Sequence, residues 1–71
     1  MAPIRWTKPA LAARLQYFEE KLSGSELIDA VVSFADGLEP EDRELLQDAL
    51  LERAGEQRRI APLIAKRHPR K

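Results

Sequence analysis

Residues 25–38 read SELIDAVVSFADGL. Leu27, Val31, Phe34 and Leu38 recur at steps of four, three and four, the spacing of one side of an α-helix. Ile28, Val32 and Ala35 widen that side, and Glu26, Asp29, Ser33 and Asp36 are confined to the remainder of the wheel. An apolar arc this wide predicts a helix covered from two directions. The segment is therefore expected to be the central helix of a small bundle, packed against both of its sequence neighbours, over about residues 25–36. Ser23 followed by Glu26 has the spacing of a capping box. Gly24 is unfavourable inside a first turn, which makes Ser25 the rival cap. Gly37 is the expected terminator.

The flanking segments carry the same period. Leu11, Leu15, Phe18 and Leu22 form one apolar stripe over about residues 8–22, with Thr7 as N-cap and Pro9 in the first turn, where its missing N–H costs little. On the other side, Pro40 opens a helix over about residues 40–54, and Glu41, Asp42 and Glu44 crowd the positive end of its dipole. Leu45, Leu46, Ala49 and Leu50 face inward there, while Leu51 falls on the other side among Glu44, Gln47 and Asp48. Gly55 is expected to stop this helix.

The last fourteen residues, RRIAPLIAKRHPRK, hold six basic groups and no acid. Pro62 forbids an unkinked helix from Glu56 to His68. A short helix over about 61–68 would place Pro62 in its first turn and present Ile60, Leu63 and Ile64 together against the bundle, over Leu51. Residues 1–7 read as an arm in which Trp6 is a lid on the core, and residues 69–71 as a disordered tail. The expected fold class is all-α: a small three-helix bundle with a short fourth C-terminal helix or turn and a basic tail.

Length and composition bound the function. Seventy-one residues make one domain. A chain of this size buries only about 60% of the surface its unfolded form exposes. It has no Cys and a single His, His68, so disulfides, thiolate metal sites and a His-based zinc site within one chain are excluded. Tight helical packing, self-association or docking on a larger partner must supply the missing stability. No apolar run reaches the length of a secretory h-region or a membrane span, so a cytoplasmic location without membrane contact is expected. The excess of Arg over Lys, frequent Ala and absence of Asn fit a prokaryotic source.

The net charge of zero hides a pattern. Residues 1–22 carry four basic and two acidic groups, residues 23–54 two basic and nine acidic, and residues 55–71 six basic and one acidic. Such an asymmetry either neutralises itself within the fold or steers a partner. No catalytic constellation can be assembled. Ser23 and Ser25 read as caps, His68 lies in a tail, and the acids around Glu41 match a helix N-terminus better than a metal site. No Gly-rich phosphate loop exists. No enzyme, cofactor or metal is expected.

Two partner classes remain. The first is another protein, or a second copy of the chain, contacted through Leu51, Glu44, Asp48, Ile60, Leu63 and Ile64. A small regulatory interaction module of this kind explains the unstapled fold and the bipolar charge together. The alternative is nucleic acid, bound at its phosphates through Arg58, Arg59, Lys66, Arg67, Arg70 and Lys71. The acidic third helix would be repelled from a groove, which argues against a helix-turn-helix reader.

Overall fold

The computed structural model describes residues 5–69 of the chain. They form four α-helices: α1 (Lys8–Lys21), α2 (Gly24–Asp36), α3 (Pro40–Leu51) and α4 (Glu56–Arg67). The all-α class follows from the periodicity, and no strand occurs among the described residues.

Each helix begins where local chemistry favours it. Thr7 is extended and its hydroxyl accepts from the Ala10 amide at 3.3 Å, with Pro9 in the first turn of α1. Ser23 is the N-cap of α2 but makes no side-chain cap bond; Gly24, at φ 59°, turns the chain into the helix. Pro40 opens α3 beside Glu41 and Asp42.

Cross-helix contacts fix the packing. Arg5 pairs with Glu41, Lys8 with Glu52, and Arg53 with Glu19, in the same order along both segments. Helices α1 and α3 therefore pack against each other, with Lys8 and Glu19, near opposite ends of α1, both reaching the end of α3, and Arg5, ahead of α1, reaching its start. Leu27 and Gln57 line one cleft at the start of α2 and α4, and Asp36 meets Arg67 and His68 at their ends. Helices α2 and α4 thus run in the same sense. The start of α3 faces the end of α4, so this pair is antiparallel. Around the bundle the order is α1, α3, α4, α2, and the diagonal pair α2–α3 barely touches.

That order corrects one expectation. The wide apolar arc of α2 is covered by α1 and α4, not by both sequence neighbours, and α3 is the most embedded helix. Helix α4 took the place assigned to α3.

The core is aliphatic: Leu11, Leu15, Leu27, Val31, Ala35, Leu46, Ala49, Leu50, Ile60, Ala61 and Ile64. Trp6 meets Phe34 edge-on at 5.2 Å between ring centroids, and Phe18 meets Phe34 at 5.8 Å. This aromatic cluster packs against the aliphatic residues from one side, so Trp6 acts as the lid expected of it. The first four residues of the arm and the last two of the tail lie outside the described residues.

Helix α4 is longer than expected. It begins at Glu56 and carries Pro62 in its interior. An internal proline costs about 3 kcal/mol, because the Arg58 carbonyl loses its amide donor and the ring crowds the preceding turn. Pro62 and Arg58 are both exposed, so that carbonyl can be hydrated. A helix starting at Ala61 would leave Gln57 and Ile60 without their places in the core. Fully burying an isoleucine is worth about 1.5–3 kcal/mol, and Ile60 and Ile64 are both 0% exposed. Ile64 would be buried by the shorter helix as well, so the burial gained by starting at Glu56 is that of Ile60, which offsets about half or more of the proline's cost. The buried Gln57 adds a bond from Nε2 to the Leu15 carbonyl at 2.7 Å, tying α4 to α1 across the bundle.

Gly55 does not terminate α3, which ends at Leu51 rather than Ala54; it is the N-cap of α4, at φ 72° and ψ −142°. That region is essentially restricted to glycine. Gly37 is different. It ends α2 in a right-handed conformation, φ −85° and ψ −4°, and an added Cβ would meet only the Phe34 carbonyl oxygen at 3.7 Å. Gly55→Ala is expected to cost about 1–3 kcal/mol, whereas Gly37→Ala should stabilise by about 0.4–1 kcal/mol through the unfolded state. Urea unfolding of the two variants measures both signs.

Candidate interaction surface

The outer faces of the helices can be built from the pattern of burial. On α4 the buried residues Gln57, Ile60, Ala61 and Ile64 face inward. Arg58, Arg59, Pro62, Leu63 and Lys66 face solvent. Arg58, Arg59 and Lys66 have no ion-pair partner among the described residues, and Leu63 is 41% exposed in their midst. On α2 the outer side holds Glu26, Asp29 and Ser33. Neither Glu26 nor Asp29 has an ion-pair partner among the described residues.

The acids of α3 are occupied differently. Glu41 pairs with Arg5 and Glu52 with Lys8, so this face is partly neutralised by α1. The hydrogen bond to Glu52 raises the Lys8 ammonium above its ordinary value, against slight burial. Asp42 is buried, with Arg5 Nε 3.9 Å from its Oδ1. Glu44 and Asp48 are exposed beside Leu51, which is itself 51% exposed.

The predicted contact residues therefore separate. Leu51, Glu44, Asp48 and Leu63 lie at the surface. Ile60 and Ile64 do not: they are core residues, and a contact with another molecule through them is corrected by their burial. The predicted docking of the last segment does bury them, but it does not cover Leu51. Of the six cations in the alternative set, Arg58, Arg59 and Lys66 are free, Arg67 is engaged within the fold, and Arg70 and Lys71 lie outside the described residues.

Two side chains that tie the helices together escaped the sequence reading. Arg43, in the first turns of α3, donates from Nε to the Ala35 carbonyl at 3.0 Å and from Nη2 to the Leu38 carbonyl at 2.8 Å. It closes the end of α2 with a charge-assisted cap of the kind the negative helix terminus favours. Asp36 is the second. Arg67 donates to it from Nε at 3.2 Å and from Nη2 at 2.6 Å, and His68 Nε2 lies 2.6 Å from its Oδ1. His68 is thus held at the end of α4 rather than loose in a tail. A basic residue two turns after a glycine stop, and an acid at the last position of a helix, were the available signals. Neither reveals which distant helix it will meet.

The hydrogen bonds from Arg67 and then His68 hold the Asp36 carboxyl at about 2, below its ordinary 3.8. The same contact with Asp36 raises the Arg67 guanidinium. Because the folded value lies below the unfolded one, the clamp stabilises the fold above about pH 4, and its contribution fades as pH falls toward 2. Asp36→Asn is expected to lower the urea midpoint at pH 7 and to change it less at pH 2. Equal losses at both values would show that the carboxylate charge does not matter.

Beside this clamp is an open cleft of about 660 Å³ lined by Pro40, Arg43, Glu44, Gln47, Arg67, His68 and Pro69. Its lining offers no serine, threonine or cysteine nucleophile. Among the described residues no group of three or more His, Cys, Asp or Glu is placed to hold a metal ion. No helix among them is long and apolar enough to cross a membrane. What the surface offers chemically is charge of both signs arranged along rigid helices, with single leucines set among it. The chain matches no protein-family model, no curated protein and no solved structure.

Proposed function

We propose that this chain is a small non-enzymatic interaction or regulatory module that acts by presenting its outer helical faces to another protein. The reading is carried by one observation: unpaired acids on α2 and unpaired cations on α4 stand on adjacent helices, with Leu63 and Leu51 exposed on the same rigid bundle. Complementary charge steers encounter and sets register, and an exposed leucine supplies the desolvated contact. The test is isolation of the assembly from the native host and mass measurement of it intact, with the same isolation repeated for Leu51→Ala and Leu63→Ala. Both side chains lie at the surface, so the variants should fold normally, within about 0.5 kcal/mol of the parent. Loss of the partner from at least one variant supports the reading; an unchanged assembly with both removes these leucines from the contact.

A second reading is favoured by the three free cations of α4: nucleic acid held at its phosphates. With Arg67 committed to Asp36, three contacts imply a slope of log affinity on log salt of about −2.7 on duplex DNA. Titration of duplex DNA and RNA at low salt decides it, and no binding there eliminates this reading.

A further inference from the structure

We propose that the α2–α4 face docks a second copy of this chain, with the two copies related by a two-fold axis running along the seam between these helices. The inference rests on the interaction-module reading and names its partner.

Leu27 lines the same cleft as Gln57, thirty positions on, and Asp36 pairs with Arg67, thirty-one positions on. The two helices have the same rise per residue, so intermediate levels follow: Ile28 lies level with Arg59, and Val32 with Leu63. One copy therefore presents two parallel rails about 8–10 Å apart, the ordinary spacing of packed helices. The α2 rail is acidic, through Glu26 and Asp29; the α4 rail is cationic, through Arg58, Arg59 and Lys66. Between them run Ile28 and Val32, both half-buried, and Leu63, which is 41% exposed. Among the described residues, side-chain pairs tie the two rails only at the far end, where Asp36 meets Arg67 and His68.

A two-fold axis parallel to the rails sets the α4 of each copy on the α2 of the other. Helix sense and level are unchanged by that rotation. Arg58 and Arg59 of one copy then face Glu26 and Asp29 of the other, and the reverse contact forms at the same moment. Leu63 closes on its own counterpart across the axis. A two-fold axis perpendicular to the helices would instead set acid on acid and base on base. The charge pattern thus selects one closed, isologous arrangement. A foreign acidic segment could satisfy the α4 rail, but it would leave the α2 rail unanswered.

Sedimentation of the intact chain from micromolar to millimolar concentration reads the association, and charge exchange reads its geometry. The parent is expected to dimerise in this range, more weakly as salt rises. Leu63→Asp should raise the dimer dissociation constant by roughly tenfold or more, as for a central contact. Glu26→Arg/Asp29→Arg and Arg58→Glu/Arg59→Glu should each be monomeric alone, because every rail then faces its own sign. Mixed in equal amounts, the two variants should form a heterodimer, since both contacts become attractive again. All five substituted positions are exposed, and circular dichroism of each variant verifies the fold. A parent that stays monomeric at millimolar concentration, or charge variants that dimerise alone, would overturn the proposal. So would a mixture that stays monomeric. If the parent is monomeric yet still holds a different protein through Leu51 or Leu63, self-docking fails while the module reading stands; binding of nucleic acid alone removes both.

Discussion

Replacing Ile60 by alanine is expected to destabilise the protein by about 2–5 kcal/mol, the range for deleting a large aliphatic side chain from a filled core. Ile60 is 0% exposed and lies among Leu, Val and Ala side chains contributed by all four helices. Total stability of a small domain is about 5–15 kcal/mol, and a chain this short belongs at the lower end. The variant should therefore unfold at much lower urea, with a substantial unfolded population at physiological temperature. Leu63→Ala is the matched control three positions away, on the outer side of the same helix, where surface substitutions change stability by only about 0.5 kcal/mol. Urea unfolding followed by circular dichroism separates them. Equal effects of the two substitutions would mean that α4 does not sit on the core as described.

The second large effect is expected at Arg43. Its guanidinium spans two carbonyls at the end of α2, one of which, at Leu38, has no other donor among the described residues. Arg43→Met keeps most of the stem and removes both bonds; the expected loss is about 1.5–3 kcal/mol, the value of hydrogen bonds that involve a charged group. Arg43→Lys should recover little, because a single ammonium cannot reproduce the planar fork that reaches both oxygens. The same unfolding measurement checks it. Full recovery by lysine would reduce the contact to simple charge at a helix terminus.

Much of this architecture was legible in the residues. The steps of three and four in Leu11–Leu22 and Leu27–Leu38 placed α1 and α2, and Thr7, Pro9, Gly37 and Pro40 marked their limits within a residue or two. What local pattern could not reveal was which helix covers which. The wide arc of α2 demands two neighbours, but nothing within it distinguishes α3 from α4. Pro62 was misleading for a related reason. Its local penalty is certain, while the compensating burial of Ile60, Ile64 and Gln57 exists only once three other helices are assembled. Asp36, Arg43 and Arg67 carry the same lesson in polar form. Each looks like ordinary surface charge until the chain brings α2, α3 and α4 together at one end of the bundle.

The candidate surface was legible only as composition. The swing from an acidic middle to a basic end is plain in the residues, but its organisation depends on the bundle. Arg5 and Lys8 answer Glu41 at the start of α3 and Glu52 just past its end, Glu26 and Asp29 of α2 stay exposed, and only the fold sets those two beside the cations of α4. Leu63 shows the same division. Ile60, Leu63 and Ile64 are chemically alike in the sequence, and one turn of helix decides that two lie inside and one outside.

The central physical claim is that α4 belongs to the cooperative core and only its outer side is available to other molecules. Native-state hydrogen exchange tests this most directly, because it reads the opening free energy of each amide in the intact chain. The amides of Ile60, Ala61 and Ile64 are expected to exchange as slowly as those of Leu46 and Leu50, through global unfolding. Fast exchange across α4, with α1 to α3 still protected, would contradict the account.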